Sequence, residues 1–130
     1  MATSVVKKIR RSGRVGIYVH VNSAGREHLK SLAAQVSSLT RYVSNQEGWV
    51  LIDIYMDAGL DRAEFDRLVN DCKSHNLEAV IVESLSSFGK DNGEVAEAVR
   101  LLHECGVKIE FMGKDLDVCG FPFPLKCANA

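Results

Sequence analysis

The chain has 130 residues, 46% apolar and 25% charged, a composition that fits one globular core and excludes collagen-like, mucin-like and disordered classes. Sixteen Lys and Arg against seventeen Asp and Glu give a formal net charge of -1, so a whole-domain electrostatic grip on DNA or on an anionic membrane is excluded, and any nucleic-acid contact has to be local. No apolar run approaches the roughly 20 residues of a membrane span, and the opening MATSVVKKIRRSGR lacks the apolar stretch of a secretory signal, so the sequence reads as cytosolic.

In chain order, a basic arm over residues 1–14 carries Lys7, Lys8, Arg10, Arg11 and Arg14. From Val15, VGIYVHV is a near-continuous β-branched and aromatic run, which predicts a central strand covered on both faces. Between about His28 and Glu47, Leu32, Val36, Leu39 and Val43 recur at helical spacing, with Gly48 where a helix would stop. VLIDIYMD from Val50 predicts a second strand, and Arg62 to Ser74 a second helix with Phe65, Leu68, Val69 and Cys72 on its apolar face. AVIVESL from Ala79 is a third strand. The polar loop SSFGKDNG leads to a third helix carrying Val95, Val99 and Leu102, which ends at Gly106 before a strand VKIEFMG. This alternation predicts an open α/β fold over residues 15–117: a mostly parallel sheet of four to five strands with helices on both faces. Residues 118–130 form a tail outside that unit. Such sheets bind ligands beyond the carboxyl ends of their strands, so the chemistry is expected after Val21, Asp57, Leu85 and Gly113.

Residue types argue against several chemistries. VHVNSAGREH has only Gly25 where a dinucleotide fingerprint needs three glycines, and no phosphate-cradling loop is present. Ser23 lacks the G-x-S-x-G elbow of a hydrolase and reads more simply as a turn or cap residue. Asp57, at the end of its strand, is a better candidate than Asp53, but no acidic pair follows the first strand to hold Mg²⁺. Cys72, Cys105, Cys119 and Cys127 contain no C-x-x-C pair and read as free thiols. Cys72 and His75 lie three apart without a second ligand pair, so no metal and no cofactor is expected.

Five pieces in order nonetheless form a pattern. They are YVHVNS at Tyr18 to Ser23, SLAAQ at Ser31 to Gln35, IYMD ending at Asp57, RAEF from Arg62, and SLSSFGKD from Ser84, followed by the strand IEFMGKDLD. Together they resemble the catalytic domain of serine recombinases, the family of resolvases, invertases and large serine integrases. The resemblance covers about Arg14 to Asp117 and implies the family's fold. In that family a Ser at the end of the first strand attacks a DNA phosphodiester, and several Arg side chains hold the phosphate. Tyr18, Gln35, Asp57 and Arg62 match the pattern.

Four positions depart from it. Asn22 stands where the resemblance requires the nucleophilic Ser, and an amide cannot supply an attacking alkoxide. His20, Ser87 and Lys90 stand where it requires Arg, and none of them presents a bidentate fork to phosphate. Losing the nucleophile costs on the order of 10⁶ in turnover, and each lost charge donor about 10² to 10³. No intact catalytic set is therefore expected; Ser23 could substitute only if the strand end bulged, because a one-residue shift points the side chain to the other face. The family's long pairing helix after the last strand also finds no match in the tail, where Pro122 and Pro124 would break it. Phe121, Phe123 and Leu125 read as cover for an apolar face, or else as an anchor for a partner.

The preferred expectation is a recombinase-like domain without strand-cleavage chemistry, acting as a binding or regulatory protein. Its partner would be a recombinase, another protein or itself as a homodimer, with weak DNA contact through the basic arm and no membrane. Two alternatives stand beside it: an active recombinase using Ser23 or residues from a partner, and an anion- or nucleotide-binding domain using Arg62, Lys90 and His20.

Overall fold

The computed structural model describes residues 13–23 and 25–112. The arm residues Lys7, Lys8, Arg10 and Arg11 lie outside them, as does the tail with Cys119, Phe121, Phe123, Leu125 and Cys127. The elements are β1 (Arg14–Val21), α1 (Arg26–Ser44), β2 (Val50–Ala58), α2 (Ala63–Lys73), β3 (Ala79–Val82), a 3-10 turn (Leu85–Phe88), α3 (Asn92–Glu104) and β4 (Lys108–Phe111). Among the described residues the sheet has four strands, all parallel, in the order β2-β1-β3-β4. β1 is thus an interior strand, as its unbroken apolar run requires: it must be covered above and below and paired on both edges.

Strand alternation divides the core. Val15, Ile17 and Val19 of β1, with Ala79 and Ile81 of β3, face α1, where Leu39 and Val43 are buried and Leu32 and Val36 pack beside them. Tyr18, Val80 and Val82 face the other way, onto Phe65, Leu68, Val69 and Cys72 of α2 and Val95, Ala98, Val99 and Leu102 of α3. Each fully buried Val, Leu, Ile or Phe among them contributes about 1.5–3 kcal/mol of transfer free energy. Gly16 is required by close approach: a Cβ there would stand 3.1 Å from the side chains of Leu77 and Tyr55.

Several boundaries differ from the sequence reading. α1 starts at Arg26 and stops at Ser44, where the Asn45 N–H turns back onto the carbonyls of Arg41 and Tyr42. Gly48, at φ +85°, instead makes the left-handed turn into β2. β3 ends at Val82 because the chain then folds into the 3-10 turn. Arg14 is corrected from arm to strand. It opens β1, its Nε and Nη2 donate to the carbonyls of Asn76 (3.1 Å) and His75 (3.0 Å), and its backbone N–H donates to Glu78 Oε1 (2.9 Å).

Candidate functional site

The sheet directs the side chains of alternate β1 residues to one face, so Tyr18, His20 and Asn22 rise in a row toward the carboxyl end. Tyr18, at the base, is fully buried: its ring lies edge-on to Phe65 at 5.4 Å and parallel to Phe88 at 6.0 Å. Its hydroxyl donates to Asp57 Oδ2 at 2.8 Å and accepts from Arg62 Nη1 at 2.8 Å. Burial, more than the carboxylate beside it, pushes the phenol's ionisation above the ordinary tyrosine range.

Asp57 is only 3% exposed and its oxygens are occupied. Oδ1 accepts the Glu64 N–H and Oδ2 the Phe65 N–H, both at 3.0 Å. These two amides open α2 and would otherwise lack partners, so Asp57 caps that helix across the loop, at the end where its charge is favoured. Arg62, immediately before α2, donates its second nitrogen to the Phe88 carbonyl at 3.1 Å. Tyr18, Asp57 and Arg62 therefore tie β1, β2, α2 and the 3-10 turn into one buried network. The other strand carboxylate, Asp53, is half exposed and paired with Arg67 at 2.6 Å, and the Arg67 guanidinium stacks over Tyr55 at 4.3 Å.

Above this network opens a crevice of about 480 Å³ lined by His20, Asn22, His28, Gln35, Ser87 and Lys90, among others. A second recess of about 200 Å³ shares His20, Asn22 and Lys90 and adds Arg62. The strand-end residues named from the sequence thus do converge. Asn22 is exposed at the exit of β1. His20 lies across from Asp57 in the β1·β2 register, and its Nε2 donates to the Gly59 carbonyl at 2.7 Å. Since a carbonyl only accepts, Nε2 carries the proton, and that N–H is spent on the Gly59 backbone rather than turned to the crevice. Ser87 is 6% exposed and brings a hydroxyl where the resemblance requires a guanidinium. Lys90 is exposed, its backbone N–H held by Glu94 Oε1 at 2.8 Å while Asp91 caps α3 through the Glu94 N–H at 2.9 Å.

Ser23, one residue beyond Asn22, meets the first turn of α1. There its Oγ lies 2.6 Å from His28 Nδ1 and accepts the Gly25 N–H at 3.2 Å. Sequence reasoning missed His28, which it placed only as the start of a helix; a Ser followed at the fifth position by a His in a helix's first turn was the available signal. Among the described residues no group of three His, Cys, Asp or Glu side chains is placed to hold a metal. Cys72 and Cys105 are free thiols, and burial pushes Cys72 up to about 12. No helix of the described residues is long and apolar enough to cross a membrane.

The resolvase N-terminal domain family matches residues 15–118. Three solved structures are similar in fold. One is a resolvase family site-specific recombinase from Streptococcus pneumoniae, 24% identical with a TM-score of 0.68 over 76% of this chain and 71% of that one. Another is the C-terminal catalytic domain of ISC1926 TnpA, an IS607-like serine recombinase, 21% identical with a TM-score of 0.67 over 79% and 71%. The N-terminal catalytic domain of TP901-1 integrase is 22% identical, also at 0.67, over 81% of each chain. Comparison with curated proteins finds no match. The chain belongs to the resolvase N-terminal domain family.

Proposed function

We propose that this resolvase-family domain serves site-specific recombination as a binding or regulatory module and does not itself cleave DNA. The observation that carries the reading is Asn22 at the exit of β1, where the serine recombinase pattern needs a hydroxyl nucleophile. The crevice walls support it. With the His20 Nε2–H committed to the Gly59 carbonyl, and with Ser87 in a guanidinium position, Lys90 is the one Lys or Arg among the described residues that line the crevice. A single ammonium does not reproduce the planar, multidentate hold that developing phosphate charge requires. The retained fold then acts through its surfaces, on a recombinase or a second copy of the chain. Lys7, Lys8, Arg10 and Arg11 add a weak, salt-dependent phosphate contact.

The test is a covalent-adduct assay with a labelled random-sequence duplex library, denatured in SDS, with the protein alone and mixed with an active serine recombinase. The expected result is no adduct on this chain in either mixture, and a light-scattering mass shift with the recombinase. An adduct abolished by Ser23→Ala overturns the reading. It would install the relocated-nucleophile alternative, which the 2.6 Å contact between Ser23 and His28 favours.

A further inference from the structure

In the sequence Ser23 lies between Asn22 and His28, which both line the crevice, and neither Ser23 nor His28 takes part in the buried network below it. The Ser23 hydroxyl meets His28 Nδ1 at 2.6 Å, within the distance at which a base accepts a hydroxyl proton, and His28 itself lines the crevice of about 480 Å³. We propose that Ser23 and His28 are a nucleophile and general base that act on small neutral carboxylic esters. This inference is independent of the proposed role in recombination.

The choice of substrate follows from charge. Attack on a phosphodiester builds negative charge over several oxygens of an already anionic group, and this crevice lacks the guanidinium groups to balance it. Attack on a neutral ester builds one negative charge on one oxygen. Donors for a single oxyanion are close in sequence: the N–H groups of Arg26, Glu27 and His28 precede the first bond of α1, from Leu29 N–H to the Gly25 carbonyl, and among the described residues no side chain caps them. The exposed rim also suits small substrates, because the crevice is open and lined by hydroxyl, amide and imidazole groups rather than by an apolar slot.

The steps balance with water as the only co-reactant. As Ser23 Oγ bonds to the carbonyl carbon, its proton passes to His28 Nδ1. The bond from carbon to the alcohol oxygen then breaks, and His28 returns the proton to the leaving alcohol. Water, deprotonated by His28, attacks the acyl-Ser23, and the acid is released with the hydroxyl restored.

The test uses the full chain, 4-nitrophenyl acetate as substrate, and peptide mapping after reaction with a fluorophosphonate probe, which reports the nucleophile directly. Ester turnover above the buffer rate and probe attachment to Ser23 are expected. Ser23→Ala should abolish the attachment, and His28→Ala should slow it about 10²-fold or more, with partial recovery on adding imidazole. His28 is exposed, so its removal leaves the fold intact, which a thermal melt verifies. A chain that takes no probe at Ser23, or one whose labelling is unchanged in His28→Ala, overturns the inference. A DNA adduct that persists in Ser23→Ala would overturn the proposed function and leave this inference standing, whereas one abolished by Ser23→Ala would overturn both, because the choice of ester rests on the crevice failing to balance a phosphodiester.

Discussion

The site has two halves that differ in what holds them. Below, Tyr18, Asp57 and Arg62 match the serine recombinase pattern, and each is bound into the fold by hydrogen bonds to the others and to backbone groups of α2 and the 3-10 turn. Above, His20, Asn22, Ser87 and Lys90 depart from the pattern, and all four line the open crevice. Three side chains that agree with the family, Tyr18, Asp57 and Arg62, are those the architecture needs; a fourth, Gln35, lines the crevice beside the four that disagree, which are those a substrate would meet. Agreement at Tyr18, Asp57 and Arg62 is therefore accounted for by folding alone and is no argument for catalysis.

The largest effect is expected at the base. Asp57→Ala strips the acceptor from one hydroxyl and two helix-opening amides in a buried place, so it should cost about 3 kcal/mol or more, read as a fall in the urea midpoint. A loss below about 1 kcal/mol would mean that α2 is capped without it and would dissolve the distinction between the halves. Arg62→Met is next, at about 1–3 kcal/mol, because the Tyr18 hydroxyl and the Phe88 carbonyl each lose a charged donor. The same bonds bear on the anion-binding alternative. Loss of anion binding in Arg62→Ala would be confounded by unfolding, whereas Lys90→Ala, at an exposed position outside the network, tests that ligand with the fold intact.

Much of this base was legible and its meaning was not. The run VGIYVHV implied an interior strand because only a doubly covered strand can be apolar on both faces, and Leu32, Val36, Leu39 and Val43 implied the face that α1 buries. Asp57 and Arg62 were legible as site positions through their place in a motif. That Asp57 caps α2 was not, because the cap reaches seven and eight residues along the chain, and no local pattern encodes it. Arg14 was read with its charged neighbours, while the carbonyls that fix it belong to His75 and Asn76, more than sixty residues away. The start of α1 was missed because Gly25 carries no capping side chain to announce it.

A smaller effect is expected at Asp53, which belongs to neither half. The hydrogen bond from Arg67 holds its carboxyl below the usual range, against a weaker opposing effect of burial. A depressed folded value means the stabilisation is present above the unfolded carboxylate value of about 3.9 and is lost as pH falls through the folded one. Both partners are more than a third exposed, so solvent screening reduces the contribution to a few tenths of a kcal/mol. Asp53→Asn should flatten the acid limb of a stability curve below about pH 4 by that amount. An unchanged limb would mean that the pair with Arg67 exists only in the geometry and not in the energetics.

The smallest effect on stability is expected where the functional consequence is sharpest. Asn22 is exposed, none of its side-chain atoms is tied into the buried network, and Asn22→Ser should change stability by no more than about 0.5 kcal/mol. It restores the hydroxyl that the family pattern requires, yet two charge donors are still missing at His20 and Ser87, each worth about 10² to 10³ in rate. Their combined loss keeps Asn22→Ser alone free of a DNA adduct, and the triple variant Asn22→Ser, His20→Arg, Ser87→Arg should regain one. The Ser87 change is the demanding step, because that residue is almost fully buried and a guanidinium has to emerge from it into the crevice. An adduct formed by Asn22→Ser alone would show that Lys90 suffices to hold the phosphate. The open half would then differ from an active site by a single atom group rather than by its whole electrostatic wall.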